Sequence, residues 1–251
     1  MPRSTAPFAE RIEAVERWLL PAECLLCRER LAATAADPLI CAVCRSRWRP
    51  VPHPRCARCA QPSEPGRSCV ICSEWPSGFD CAESAVWLDE SARRAVHALK
   101  YDGWWRVAPS LAELMVRLAP LRAGGVLVPI PLGAARQRTR GYNQSAKLAQ
   151  ALAVRLGLRV DERLLARVRE TRSQTALTPD QRSANLRGAF ARSGRGQRRS
   201  TERIVLVDDV FTTGATLVSA AKALLDGGAP SVTAVTFARA ELPLAAISRT
   251  V

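Results

Sequence analysis

Eight of the nine cysteines stand in C-x-x-C pairs, Cys24/Cys27, Cys41/Cys44, Cys56/Cys59 and Cys69/Cys72, with Cys81 left over. A C-x-x-C turn lets two thiolates converge on one metal ion, and a tetrahedral zinc needs two such turns brought together. The simplest pairing is consecutive, the first four cysteines holding one zinc and the last four a second; a cross-braced pairing uses the same residues. A disulfide framework would need an oxidising compartment. Residues 1–21 argue against one, because Glu10, Arg11, Glu13, Glu16 and Arg17 interrupt any apolar leader core. A dithiol redox switch suits one C-x-x-C better than four in tandem. All-cysteine sites leave no open coordination position, so both zincs are expected to be structural. The proline-rich surroundings (Pro50, Pro52, Pro54, Pro62, Pro65, Pro76) bury little apolar area, and metal binding would supply the missing stability. His53, between the quartets, is expected in an exposed loop, with replacement of a cysteine ligand as its other role.

The second chemical signal is the stretch IVLVDDVFTTGATL, Ile204 to Leu217. An uninterrupted apolar run is expected of a strand buried on both faces, and this one ends in Asp208 and Asp209. The carboxyl ends of central strands are where open α/β sheets bind ligands. Thr212, Thr213, Gly214, Ala215 and Thr216 follow, directly before a helical pattern. Backbone amides and hydroxyls of such a loop can surround a phosphate at a helix N-terminus, with Gly214 supplying backbone freedom. Carboxylates that accept from sugar hydroxyls beside a phosphate cradle suit a phosphorylated sugar. The same residues also make an ordinary strand, turn and capped helix.

The elements that would position these groups alternate. Strands are expected over 126–130, 204–210 and 232–237, and helices over 144–156 and 217–225, which argues for an α/β fold with a parallel sheet covered by helices. Ala92, Val96 and Leu99 form the packed face of a further helix ending at Lys100 and Tyr101, with His97 beside that face as a structural residue. Residues 131–141 are expected to be an arginine-bearing loop. The division expected is an amphipathic helix over 1–21 (apolar at Phe8, Ile12, Val15 and Leu19), a cysteine-rich module over 22–80 and the α/β domain over 81–251. The helix is expected to pack on its own protein or dock on a membrane surface.

With 251 residues, 47% of them apolar, the chain can bury a full-sized core, and no uncharged stretch approaches the length of a membrane span. A cytoplasmic protein is expected. The formal charge of +14 favours anionic partners. Lysine occurs only at Lys100, Lys147 and Lys222, the rest of the 37 basic residues being arginine. Codon bias alone could produce that skew.

The acid pair with its threonine-glycine turn resembles the phosphoribosyl-pyrophosphate motif of type I phosphoribosyltransferases. Together with the cysteine module, the chain from about Cys24 to Arg239 resembles the ComF, or competence protein F-like, family. Three further segments carry that likeness: ALKYDG at 98–103, VPIPL with RTRGYNQ at 128–132 and 138–144, and QTALTPDQRSANLRGAF at 174–190. The resemblance implies a type I phosphoribosyltransferase fold behind a double zinc ribbon. It also implies a pocket in which Asp208 and Asp209 position the ribose while residues 212–216 hold the 5′-phosphate. Lys100, Arg138 and Arg140 would meet the pyrophosphate, since planar guanidiniums bind phosphate oxygens bidentately. Solvated arginines, and a lysine that only complements a helix dipole, fit the same pattern. Asn143 and Gln144 suit helix capping as well as ligand binding. Gln174, Arg182 and Asn185 fall where the transferases carry a flap that excludes water; plain surface is the other reading.

The activity so implied is pentosyl transfer with two structural zinc ions and a magnesium ion accompanying phosphoribosyl pyrophosphate. Its setting would be nucleotide metabolism or competence and DNA uptake. A non-catalytic factor that binds phosphoribosyl pyrophosphate or single-stranded DNA and works with DNA-uptake proteins is the alternative. Nothing in the chain identifies an acceptor base or amine.

Overall fold

The computed structural model describes residues 23–32, 35, 37–63, 69–119, 125–169, 186, 188–193 and 202–241. The chain forms two compact units, residues 1–48 and 49–251. The expected N-terminal helix over 1–21 lies outside the described residues.

In the first unit the backbone is organised around Cys24, Cys27, Cys41 and Cys44. Asp37 accepts from the amides of Leu39 and Ile40 at 2.9 and 3.1 Å, folding the chain back toward Cys41. Cys41 then caps the short helix α1 (Ala42–Ser46), its sulfur accepting the Cys44 amide at 3.3 Å.

The second unit holds the other cysteine quartet and a five-stranded sheet. Its strands are β1 (Phe79–Trp87), β2 (Val126–Pro129), β3 (Arg159–Val160), β6 (Ile204–Phe211) and β7 (Val232–Arg239) in the order β1-β7-β6-β2-β3; β4 (Leu165–Arg167) and β5 (Phe190–Arg192) form a separate antiparallel pair. Every pairing in the large sheet is parallel. The expectation of a parallel sheet flanked by helices holds, and β6 and β7 are buried almost throughout.

Side chains alternate between the two faces of a strand. Val126, Val128, Ile204, Leu206, Val232 and Ala234 point to one face, where they meet Leu217, Ala220 and Leu224 of α6 (Ala215–Asp226). Their neighbours Leu127, Val205, Val207 and Val235 point to the other. There α3 (Ala108–Leu118) and α5 (Gln144–Leu156) pack on one another and on the sheet. A further helix, α2 (Glu90–Lys100), is capped by Asp89, whose carboxylate accepts the Ala92 amide at 2.9 Å.

One local expectation needs correction. Residues 131–141 are not all loop: Ala134–Arg140 forms helix α4, which Gly141 ends in the left-handed conformation at φ 78°. This sequence has no apolar face, and none of the helix's residues is buried, so hydrophobic periodicity could not reveal it. His97, beside the packed face of α2, is largely exposed, pairing with Asp102 at 3.3 Å and lying against the Tyr101 ring.

The strand order places a reversal beside β6. From β2 the chain moves outward to β3, and from β6 it moves the other way to β7, so the crevice between the carboxyl ends of β2 and β6 is a topological switch point, where open parallel sheets take ligands.

Gly125, entering β2, has φ 113°, and a Cβ there would stand 2.5 Å from the carbonyl oxygen of Arg203, which accepts the Val126 amide. The clash is with backbone and cannot relax by a rotamer change. Gly125→Ala is expected to destabilise the second unit by about 3 kcal/mol, read as a lowered denaturant midpoint at unchanged slope.

Candidate functional site

At the carboxyl end of β6, Asp208 and Asp209 are only 8% and 3% exposed. Buried carboxylates need donors and counter-charge, and segments following other elements deliver them. Lys100, the last residue of α2, forms an ion pair with Asp209 Oδ2. Gln144 Nε2 donates to Asp209 Oδ1 at 3.3 Å, and Ser145 Oγ donates to Asp208 Oδ1 at 2.8 Å. The amide of Asp209 donates to the same Asp208 oxygen at 2.9 Å.

Gln144 and Ser145 open α5, and that helix start is fixed to its surroundings. Asn143 caps it by accepting the Ser145 amide at 3.0 Å, while its own Nδ2 donates to the Ile130 carbonyl at the end of β2, also at 3.0 Å. Tyr142 donates its hydroxyl to the Leu99 carbonyl at 2.6 Å, tying the same turn to α2. Arg140 donates to Gln144 Oε1 and lies 5.0 Å from the Tyr101 ring centroid. Arg140, Gln144, Asp209 and Lys100 therefore form one connected chain.

The two acids titrate differently. Burial, reinforced by the neighbouring charge of Asp209, pushes Asp208 up to about 8, against the opposing pull of Lys100 and Ser145. Burial would raise Asp209 too, but Lys100 and the hydrogen bonds hold it below the ordinary carboxylate range. Two acids this close therefore resist ionising together, and Lys100 favours the charged form of Asp209.

The turn after the acids is shaped by Phe211 and Gly214. Gly214 has φ 81°, and a Cβ there would come within 2.8 Å of Phe211 Cζ, so the backbone lies directly on the aromatic ring. The Ala215 amide reaches Thr213 Oγ1 at 3.5 Å, and the Val218 amide bonds the Gly214 carbonyl at 2.9 Å as α6 begins. Thr212, Thr213, Ala215 and Thr216 are partly exposed while Gly214 is buried.

Of the residues nominated from sequence, the structure brings together Lys100, Arg140, Asp208 and Asp209, with residues 212–216 continuing the chain from the acids. Arg138 is exposed on α4, joined to none of these by a described contact. Gln174, Arg182 and Asn185 lie outside the described residues. Gln144 and Ser145 enter as partners of the acids. Asn143 as an N-cap was legible, but the bonds to residues more than 60 positions away were not.

The cysteines fall into the two consecutive quartets. Within each group the four sulfurs lie within 4.8 Å of one another. Contacts of 3.7 Å (Cys27–Cys41), 3.6 Å (Cys56–Cys72) and 3.4 Å (Cys59–Cys69) approach the sulfur spacing of about 3.8 Å that a tetrahedral zinc with 2.3 Å bonds would set. Arg28 and Ala60, each directly after a C-x-x-C pair, adopt positive φ of 65° and 55°, which curls the first turn of each quartet around its sulfurs. Burial pushes Cys72 up to about 12 and raises Cys59, so four thiols this close resist ionising together unless a cation joins them. Both groups fit zinc. His53 is exposed and belongs to neither, and Cys81 sits half-buried on β1.

Comparison with known proteins gives a double zinc ribbon domain matching residues 15–73. The DNA utilization protein YhgH of Salmonella typhimurium is 34% identical over 85% of this chain and 95% of its own length. Competence protein F of Haemophilus influenzae is 27% identical over 86% of this chain and 96% of its own. Competence protein ComFC of Bacillus subtilis is 27% identical over 86% and 94%.

The titration of the acids sets a stability test. A carboxyl whose folded pKa is raised contributes stability that is present in full below its unfolded value and lost as pH rises through the folded value, here from about 4 to about 8. Asp208→Asn keeps the acceptor oxygen and removes the charge. It is expected to leave melting nearly unchanged at pH 4 and to raise the melting temperature of the unliganded protein progressively as pH rises to 9, measured by thermal unfolding across that range.

Proposed function

Because the chain belongs to the ComF family, that of the YhgH and competence F proteins, we propose that it binds phosphoribosyl pyrophosphate, accompanied by magnesium, in the crevice between β2 and β6. The observation that carries this reading is the buried acid pair leading directly into the Gly214 turn at the N-terminus of α6. Asp208 and Asp209 accept from the ribose hydroxyls, and residues 212–216 receive the 5′-phosphate at the positive end of the helix. Lys100 and Arg140 border the acids where the pyrophosphate lies, with Arg138 on the exposed side of α4.

The reaction class is pentosyl transfer. The bond between the anomeric carbon and the pyrophosphate oxygen breaks, that oxygen keeps the electron pair, and an acceptor nucleophile bonds to the carbon. The transition state resembles an oxocarbenium ion, and bound magnesium supplies charge neutralisation for the departing group. The chain's own contribution is positional and electrostatic: ionised Asp209 and the cations of Lys100 and Arg140 are held in place before ligand arrives.

A second reading, a factor that handles single-stranded DNA, is favoured by a different feature. Tyr101, Trp104 and Trp105 are exposed large aromatics within five residues, with Arg106 and Lys147 over Trp105 and Arg140 over Tyr101. Exposed rings interleaved with cations suit stacking of unpaired bases along a charged backbone. The relatives' printed names, DNA utilization and competence, agree with it.

Titration calorimetry with phosphoribosyl pyrophosphate and magnesium tests the first reading. The unsubstituted chain is expected to bind one equivalent, and Asp208→Asn/Asp209→Asn to lose at least 100-fold in affinity while remaining folded. Equal affinity in the double variant would remove the assignment. For the second reading, Trp104→Ala/Trp105→Ala is expected to weaken oligo-dT binding about tenfold or more, measured by anisotropy at 50 and 150 mM salt. Unchanged binding would discard the aromatic surface as the contact.

A further inference from the structure

Arg239, the last residue of β7, is the largest fully buried side chain among the described residues. Its guanidinium donates from Nη1 to the Cys59 carbonyl at 2.6 Å and from Nη2 and Nε to Gln61 Oε1 at 2.8 and 3.2 Å. All of these acceptors are neutral. Among the described residues no carboxylate lies within ion-pair distance of it; Glu83 is close enough to feel its charge but is itself paired with Arg55 at 3.2 Å.

A buried cation without an anion is costly. The missing negative charge is available at the second quartet, because the carbonyl that accepts from Nη1 belongs to Cys59, one of its four cysteines. A zinc bound by four thiolates carries two net negative charges, so the occupied second centre supplies the counter-charge that Arg239 lacks.

The opposite side of the guanidinium faces the ligand loop. Its carbon lies 4.2 Å from the ring centroid of Phe211, the residue paired with Arg239 across β6 and β7. Phe211 is fully buried and immediately precedes Thr212, and its ring is the surface on which Gly214 rests. The Ala240 amide also bonds the Phe211 carbonyl at 2.8 Å. The metal turn, Arg239, Phe211 and Gly214 therefore form a continuous stack within one compact unit.

We propose that the second zinc centre is a working part of the ligand site, with Arg239 as the positioning residue that transmits its presence through Phe211 to the 212–214 turn. Loss of zinc from Cys56, Cys59, Cys69 and Cys72 leaves Arg239 buried without its counter-charge, frees Phe211 from its cation, and loosens the turn. The effect on sugar-phosphate affinity rests on the reading of the ligand site given above. The coupling between metal and loop does not.

The test uses the full chain with zinc bound, comparing the unsubstituted protein with Arg239→Met and with Gln61→Ala, which removes two of the guanidinium's bonds without touching a cysteine or the loop. Three quantities are followed: zinc release to a chromogenic chelator, amide hydrogen exchange over residues 211–217, and binding of phosphoribosyl pyrophosphate with magnesium. Expected for Arg239→Met are release of one zinc equivalent at least tenfold faster, exchange over 211–217 at least tenfold faster, and tenfold or greater loss of affinity. Gln61→Ala, which serves if Arg239→Met does not fold, is expected to shift all three several-fold in the same direction. Faster zinc release with unchanged exchange over 211–217, or no change in either, overturns the coupling. If the unsubstituted chain does not bind phosphoribosyl pyrophosphate, the ligand reading falls, while the zinc and exchange measurements still decide the coupling.

Discussion

Two carboxyl groups side by side at the end of an interior strand cannot both be ionised and unaccompanied. The surroundings of Asp208 and Asp209 follow from that constraint. A lysine comes from α2, an amide and a hydroxyl come from the first turn of α5, and burial beside a charged neighbour raises the pKa of Asp208. Bringing those groups together fixes where α2 ends and where α5 begins, and so fixes the crevice between β2 and β6. Burying two like charges costs stability, and sites that do so are commonly sites of function.

The cysteine quartets add a second layer. The compact units divide between Trp48 and Arg49, so Cys56, Cys59, Cys69 and Cys72 share a unit with the parallel sheet. Arg58 reaches from this quartet to the carbonyls of Cys72, Trp75, Pro76 and Phe79, and the Ala82 amide on β1 bonds the Arg58 carbonyl at 2.7 Å. Trp75 stacks on Phe79 with ring centroids 4.3 Å apart. The second quartet is thus built into the hydrophobic core that also holds Leu206, Phe211 and Leu217, so a metal held there would stabilise more than its own turns.

How much of this was legible depended on whether the signal was local. The β6 run, its two acids and the following glycine turn sit within 14 consecutive residues; the strand extends one residue past the expected 210, and the helix begins at Ala215, two residues before the expected start. The extent of α5 matches residue for residue, because Leu148, Ala149 and Leu152 mark one face and Gly157 ends the helix. Helix α4 escaped because it buries none of its residues. Lys100 was legible as a residue near an anion, but the nearest anion is Asp209, a partner supplied by folding. Arg239 gave no signal: an arginine ending an apolar strand reads as solvated, and only the topology that sets β7 beside β6 and the Cys59 turn beside both gives it a buried role.

The most direct measurement of the central claim is a crystal structure of the full chain grown with magnesium and phosphoribosyl pyrophosphate. The 5′-phosphate is expected against the backbone of residues 212–216, the ribose hydroxyls on Asp208 and Asp209, and Lys100 shifted from Asp209 toward the ligand. A sugar phosphate bound elsewhere, or a liganded protein in which Lys100 still pairs with Asp209 and the 212–216 turn contacts no phosphate, would contradict it.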